Sequence, residues 1–254
     1  MERINRISKT IHYCWFGGKE KSEIVRKCME SWKKHLINYE IIEWNEDNFD
    51  IDINSYVKEA YEAGKYAFVS DYVRVYALYH YGGIYLDTDV EIYKAFDDLL
   101  YHSSFWGFEQ ENFIATSTIG AEKGNLLIKE FLDSYHDKRF LKSDGTLNQI
   151  TNVAIVTELL KNKGLKTNGE YQELEDGVIY PQTYFSPYDY INCRKLVSNQ
   201  TYAMHLFYKS WLPKSARLKG NSKMILAKLI GGDNISRLRR RFRALRRIVN
   251  GQHS

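Results

Sequence analysis

Apolar and polar positions set a strand-like period early in the chain, and the period then changes to a helical one. Residues 10–16, "TIHYCWF", read as a strand that runs into the glycine pair Gly17–Gly18. From Ser22 the apolar residues fall at 24, 25, 28, 29, 32 and 36, the spacing of one helical face, with Ser22 as its N-cap. "YEIIEWN", 39–45, alternates as a short strand. Strand, helix and strand in succession open a parallel sheet. The segment "YAFVSDYVRVYALYHY", 66–81, is apolar on nearly every face, which predicts a buried helix closed by Gly82. "IYLDTDVEIY", 84–93, follows at once as a further strand. Beyond it the pattern is less regular. Residues 125–135 and 152–164 read as helices, 176–187 as a short strand with a loop, and 201–212 as a last strand.

Composition adds a boundary. The net charge of +4 divides unevenly: from Lys209 onward thirteen Lys/Arg face one acid, Asp233, leaving 23 basic and 31 acidic residues before it. The expected organisation is an acidic body over 1–212 and a basic amphipathic tail over 213–254. Within the tail, 222–232 form a short amphipathic helix. A second helix, 235–249, sets Leu238, Phe242, Leu245 and Val249 on one stripe against seven arginines. Such a helix suits an anionic membrane surface, nucleic acid or the acidic body itself. The membrane is favoured for 233–249, and no nucleic-acid recognition motif accompanies it. Three cysteines without a CxxC pair suggest a reducing compartment. With no signal-peptide pattern and no apolar run of membrane-spanning length, the expectation is a cytoplasmic protein, peripheral on the inner membrane.

The candidate chemistry centres on "GIYLDTDVE", 83–91. Side chains at i and i+2 of a strand share a face, so Asp87 and Asp89 are expected to project together from the strand's far end. In open α/β sheets the carboxyl ends of strands are where ligands bind. Two unpaired carboxylates repel, and a hard divalent cation relieves that repulsion. Mn²⁺ or Mg²⁺ is therefore the expected cofactor, with positions left for the oxygens of a diphosphate. A solvated strand end is the plainer alternative for the tripeptide alone. Asp71 and Arg74, three apart on the buried helix, share one face and form either an ion pair or a ligand clamp.

Taken together, "IHYCWFGG", "SWKK", "YEIIEWN", "AFVSDYVRVYALYHYGGIYLDTDVE" and "MHLFYKSW" resemble, in the same order, the DXD-containing sugar transferases of glycosyltransferase family 32. The likeness covers about residues 7 to 212 and reaches, more distantly, the glucosylating clostridial toxins. It implies a GT-A fold, an α/β class with a Rossmann-like nucleotide-binding sheet flanked by helices. By this resemblance Asp89 binds the metal directly, and Asp87 binds it or reaches the ribose. Trp15 stacks on the base of a UDP-sugar, and Asp71 and Arg74 hold the donor's hydroxyls and phosphate. Tyr85 flanks the pocket, and His205 is a further metal or phosphate ligand. Ser210 and Trp211 close over the diphosphate, while Asn148, with Thr151 and Asn152, shapes the donor or acceptor pocket. The chain departs from the family at Ser8, where proline is usual, and at Leu206, where a second histidine is usual.

The expected activity is therefore metal-dependent, retaining transfer of a hexose from a nucleotide sugar, UDP-linked, to a growing bacterial surface glycan such as a capsule or O-antigen. The acceptor would be a lipid-linked oligosaccharide. Two alternatives stand beside it: an effector that glycosylates a host protein, and a carbohydrate- or cation-binding module without turnover.

Overall fold

The computed structural model describes residues 4–109, 112–190 and 194–208. Its elements in chain order are β1 (Thr10–Cys14), α1 (Glu23–His35), β2 (Glu40–Trp44), α2 (Ser55–Glu62), α3 (Tyr66–Tyr81), β3 (Gly83–Leu86) and β4 (Val90–Ile92). There follow β5 (Ser104–Phe108), β6 (Ile114–Ala121), α4 (Leu126–Asp133), α5 (Asn152–Asn162), β7 (Gln172–Leu174), β8 (Gly177–Tyr180) and α6 (Gln182–Phe185). Three short strands end the described chain: β9 (Tyr188–Asp189), β10 (Arg194–Lys195) and β11 (Ala203–His205).

The protein is of the α/β class. Seven strands form one sheet in the order β2-β1-β3-β6-β5-β8-β7. The pairs β1/β2, β1/β3 and β5/β8 are parallel, and β3/β6, β5/β6 and β7/β8 antiparallel. Five strands thus run one way and two, β6 and β7, run back. Both faces of the sheet are buried, and successive residues divide between them as the period-2 pleat requires. Tyr85, Trp106 and Ile179 enter one core with the buried face of α3. Ile84, Leu86, Phe105, Val178 and Tyr180 enter the other, with Trp32 of α1.

The glycine pair at the junction of α3 and β3 is a steric requirement. Gly82 and Gly83 have φ of 69° and 105°. A Cβ on Gly83 would lie 2.6 Å from the Thr10 carbonyl oxygen, and one on Gly82 2.6 Å from the Lys123 amide nitrogen. Only glycine lets the helix turn straight into a strand this close to β1. His12 fastens the turn, with Nε2 2.8 Å from the Gly82 carbonyl oxygen.

The structure differs from the expected continuous strand over 84–93. β3 stops at Leu86, the chain turns through Thr88 and Asp89 with the Val90 amide on the Asp87 carbonyl (3.1 Å), and β4 leaves the main sheet to pair with β11. The reason lies in β4's other partners. The Trp32 indole donates to the Val90 carbonyl (2.7 Å), and the Ile92 amide donates to the Ser31 hydroxyl (2.9 Å), so α1 holds the strand that follows the acidic turn. The expected last strand is likewise only β11, three residues long.

Among the described residues, 188–190, 194–196, 207 and 208 belong to a second compact unit. In its described part β9 and β10 pair antiparallel, with Arg194 opposite Asp189. The basic helix expected over 233–249 lies outside the described residues, as do Ser210 and Trp211. Among the described residues no helix is long and apolar enough to cross a membrane.

Candidate functional site

β1, β2 and β3 lie side by side and run in parallel, so their carboxyl ends share one edge, where they hand over to Trp15, Asn45 and Asp87. That edge is where open α/β sheets bind ligands. At the β1/β2 end, Trp15 is half-buried and its indole donates to the Lys19 carbonyl (2.6 Å). With Lys19, Lys21, Glu43, Asn45 and Asp47 it lines a cavity of about 620 Å³. An indole face beside carboxylates and amines can stack on a flat ring and bond its edge.

At the end of β3, three potential ligands converge. The Asp87 amide donates to the Ser117 carbonyl (2.9 Å), which completes the pairing of β3 with β6. The turn then brings Asp89 back, and the Leu206 amide donates to the Asp89 carbonyl (3.0 Å), locking the end of β11 against the turn. This sets His205 Nε2 3.3 Å from Asp89 Oδ1. One ligand atom each from Asp87, Asp89 and His205 lies within 4.8 Å of the others. Burial lowers the affinity of His205 for its proton, but Asp89 and then Asp87 outweigh it and raise the pKa to about 9. A divalent ion entering here would displace that proton, and two carboxylates with the neutral imidazole, half-buried and this close, then match the donor set of Mn²⁺ or a similar ion.

Arg74 joins this acidic turn to the buried helix. Its side chain is 5% exposed, and Nη2 reaches both Asp71 Oδ1 (2.8 Å) and Asp87 Oδ1 (3.2 Å). Nη1 donates to the Thr116 carbonyl (2.6 Å), and the guanidinium stands 4.7 Å from the centre of the Tyr85 ring. Burial opposes the charge, but Asp87, Tyr85 and Asp71 together hold it firmly. Most of its donors are thus engaged within the protein, which makes Arg74 an organiser of carboxylates. Tyr85 is fully buried and its hydroxyl donates to Asp87 Oδ1 (3.0 Å), so it too positions Asp87.

Asp71 is itself half-buried, and only its Oδ1 is engaged, by Arg74, among the described residues. Burial raises its pKa to about 6 against the pull of Arg74, with Asp87 adding to the rise. Its carbonyl is fixed by the Asn152 side chain (2.9 Å), whose other end accepts from the Tyr135 hydroxyl. Asn152 therefore ties α3 to α5. Thr151 is the N-cap of α5. Asn148 turns instead to its own hairpin, its amide donating to the Phe140 carbonyl (2.7 Å) and its side chain to that of Arg139 (3.3 Å). With Lys138, Arg139 and Lys142 it lines a second cavity of about 660 Å³. Tyr56, Tyr135 and Lys138, on all of which the charge of Asp71 acts, escape sequence reasoning because they come from α2 and from a polar turn with no motif.

A family model described as "Capsular polysaccharide synthesis protein" matches residues 2–152, more than half of the chain. The chain belongs to that family. Among curated proteins, "Subversion of eukaryotic traffic protein A" of Legionella pneumophila is 29% identical over 164 residues, covering 51% of this chain and 25% of its own length. The chain thus spans about a quarter of that relative. Of solved structures, one titled "PaToxG Glycosyltransferase" is 23% identical, covering 61% of this chain and 69% of its own, at a TM-score of 0.47. Another, a glycosyltransferase involved in glycosylation of the major capsid of PBCV-1, is 10% identical, covering 84% and 98%, at 0.46. The capsular family match takes in Trp15, Asp71, Arg74, Asp87 and Asp89, whereas His205 lies outside it.

Proposed function

We propose that this member of the capsular polysaccharide synthesis family is a metal-dependent, retaining glycosyltransferase of family 32 with a GT-A fold. It moves a hexose from a UDP-sugar to a growing surface glycan carried on a lipid. The observation that supports this most is the convergence of Asp87, Asp89 and His205 within 4.8 Å, at the carboxyl end of a central strand and beside the buried Arg74–Asp71 pair. Asp87, Asp89 and His205 would hold Mn²⁺ or Mg²⁺. Such a cation, when bound, neutralises the charge that grows on a departing diphosphate.

The chain's own residues do the rest. Trp15 offers its ring to the base in the cavity at the end of β1. Arg74 and Tyr85 keep Asp87 aimed, and Asp71 accepts hydrogen bonds from hydroxyls of the transferred sugar and so orients its anomeric carbon. A retaining route by double displacement needs a second carboxylate poised as nucleophile. None is assigned, and the acceptor hydroxyl enters on the face that UDP leaves and gives its proton to the departing diphosphate. Ser210 and Trp211 would close the site, and residues 233–249 would hold the enzyme on the anionic leaflet that carries its acceptor.

A second reading, glycosylation of a host protein, is favoured by the Legionella relative alone, which matches 51% of this chain. Release of UDP from a panel of UDP-sugars with Mn²⁺, with and without EDTA, tests the first reading, with Asp89→Asn as control. One sugar turned over only with metal, and not by the variant, supports it. Turnover that survives both EDTA and the variant removes the metal role. Lipid-linked glycan and host-cell lysate offered as acceptors then separate the two readings.

A further inference from the structure

Around Tyr135, which is tied through Asn152 to the Asp71 carbonyl, two buried polar atoms have no partner among the described residues. The Lys138 ammonium and the Tyr56 hydroxyl are both buried and make no hydrogen bond among the described residues. Lys138 Nζ stands 4.5 Å from the centre of the Tyr135 ring and 5.0 Å from that of Tyr56, so two aromatic faces hold the cation in place. Asp71 is the acid whose charge acts on Lys138, Tyr56 and Tyr135 alike. Of its own carboxylate oxygens only Oδ1 is engaged among the described residues, by Arg74. A buried ammonium with three unused protons is costly, and aromatic faces replace only part of its hydration. Native structures keep such groups where a ligand or ordered water completes them.

We propose that Lys138 and Asp71 form a two-sided reader for neighbouring hydroxyls of the transferred sugar, Lys138 donating to one oxygen and Asp71 accepting from the next. This inference rests on the nucleotide-sugar reading above and adds a specificity residue to it. A diol suits the pair because each hydroxyl both donates and accepts, so one sugar edge satisfies an ammonium and a carboxylate at once. Charge points the same way. Asp71 is the acid that acts on Lys138, so the ammonium is already answered by a carboxylate and is not a surplus cation for an acidic sugar. The substrate class is therefore a neutral hexose, and Tyr56 supplies a third polar contact on the same wall.

The test compares wild type, Lys138→Met and Lys138→Arg with Mn²⁺ present, using UDP, UDP-glucose, UDP-galactose, UDP-N-acetylglucosamine and UDP-glucuronate as probes. Binding is read by calorimetry, and slow hydrolysis by kcat and KM. A neutral sugar nucleotide should be the preferred donor. Lys138→Met should keep UDP affinity within about twofold and lose about ten- to a hundredfold in kcat/KM for that donor, the range for one hydrogen bond to a charged group. Lys138→Arg should retain part of it. A preference for UDP-glucuronate overturns the inference, because Lys138 would then read a carboxylate. Unchanged kcat/KM in a folded Lys138→Met also overturns it and leaves an ordered water as the ammonium's partner. If Lys138→Met does not fold, wild-type kinetics and an unaltered ranking of the donors in Lys138→Arg overturn it equally. Should wild type bind no nucleotide at all, the failure belongs to the proposed function, a result seen before any variant is made.

Discussion

Arg74 and Asp87 meet at 3.2 Å although they come from different elements, one from the middle of α3 and the other from the turn after β3. The same Nη2 also holds Asp71 at 2.8 Å, so a single buried guanidinium fixes the spacing of two carboxylates with different proposed tasks. The chain between them is short, since α3 passes into β3 through Gly82 alone.

Replacing Arg74 should therefore damage stability and activity together. Arg74→Met removes the ion-pair partner of Asp71's carboxylate and a partner of Asp87, leaving buried acids uncompensated. Breaking a buried pair from one side costs about 3–5 kcal/mol. Arg74→Lys keeps the charge but cannot span Thr116, Asp71 and Asp87 at once. Urea unfolding should show a large loss for Arg74→Met and a smaller one for Arg74→Lys, and UDP release should fall in both. A lysine variant with wild-type turnover would mean that the fork geometry is irrelevant.

His205 and Asp89 should govern the metal requirement rather than the nucleotide. His205→Ala leaves two carboxylates, which still attract a divalent ion but with fewer ligands. The Mn²⁺ concentration for half-maximal UDP release should rise at least about tenfold, as changes around metal centres do. KM for the sugar nucleotide measured at saturating Mn²⁺ should stay close to wild type. Asp89→Asn should lose the response to Mn²⁺ altogether. An unaltered Mn²⁺ titration for His205→Ala would place the ion elsewhere.

Much of this arrangement was legible in the sequence where period and glycine spoke together. The helix at 66–81 and the strand after it are unmistakable because an all-round apolar run ends in two glycines. β5 and β6 were not, and the physical reason is plain. β6, "IATSTIGA", is buried along its whole length and built of small residues, so no polar face alternates with an apolar one. Small side chains are needed there, for a Cβ on Gly120 would fall 2.1 Å from the Phe105 ring. At the site, Asp71, Arg74, Asp87 and Asp89 stand within one continuous motif and could be read as a group. Lys138 and Tyr56 could not, because tertiary packing alone brings them to Asp71.

Gly83→Ala should be among the most damaging single-methyl changes in the molecule. The new Cβ meets the Thr10 carbonyl at 2.6 Å, and the residue sits at φ 105°, where L side chains are strained. Strain of this kind costs about 1–3 kcal/mol before the backbone clash is counted. Because β3 carries Asp87, a shift of β3 away from β1 should also weaken Mn²⁺-dependent turnover. Gly124→Ala is the control, with φ 76° but nothing within 4 Å of its Cβ. Equal melting temperatures for the two variants would show that the β1 contact is not limiting.

His12 should set part of the pH dependence of stability. Trp44 Nε1 can only donate, so His12 Nδ1 accepts from it (3.2 Å), and the ring proton sits on Nε2, donating to the Gly82 carbonyl. A second proton would have to enter at Nδ1, against the indole N–H. Burial lowers the pKa of His12 below its ordinary 6.5, although the Gly82 contact and Glu40 oppose the shift. The unfolded chain then binds this proton more readily, so the stability His12 contributes is complete above pH 6.5 and is lost as pH falls toward its folded pKa. The slope approaches about 1.4 kcal/mol per pH unit within that window. Asp71 works in the opposite sense between its ordinary 3.8 and about 6, since its folded state holds the proton more tightly. Subtraction against His12→Gln, in which Asp71 is unchanged, isolates the histidine. Urea midpoints from pH 7.5 to 5 should fall more steeply for wild type than for His12→Gln. Parallel curves would mean that His12 accepts its second proton in the folded state without penalty, and that the Trp44 contact does not hold the tautomer.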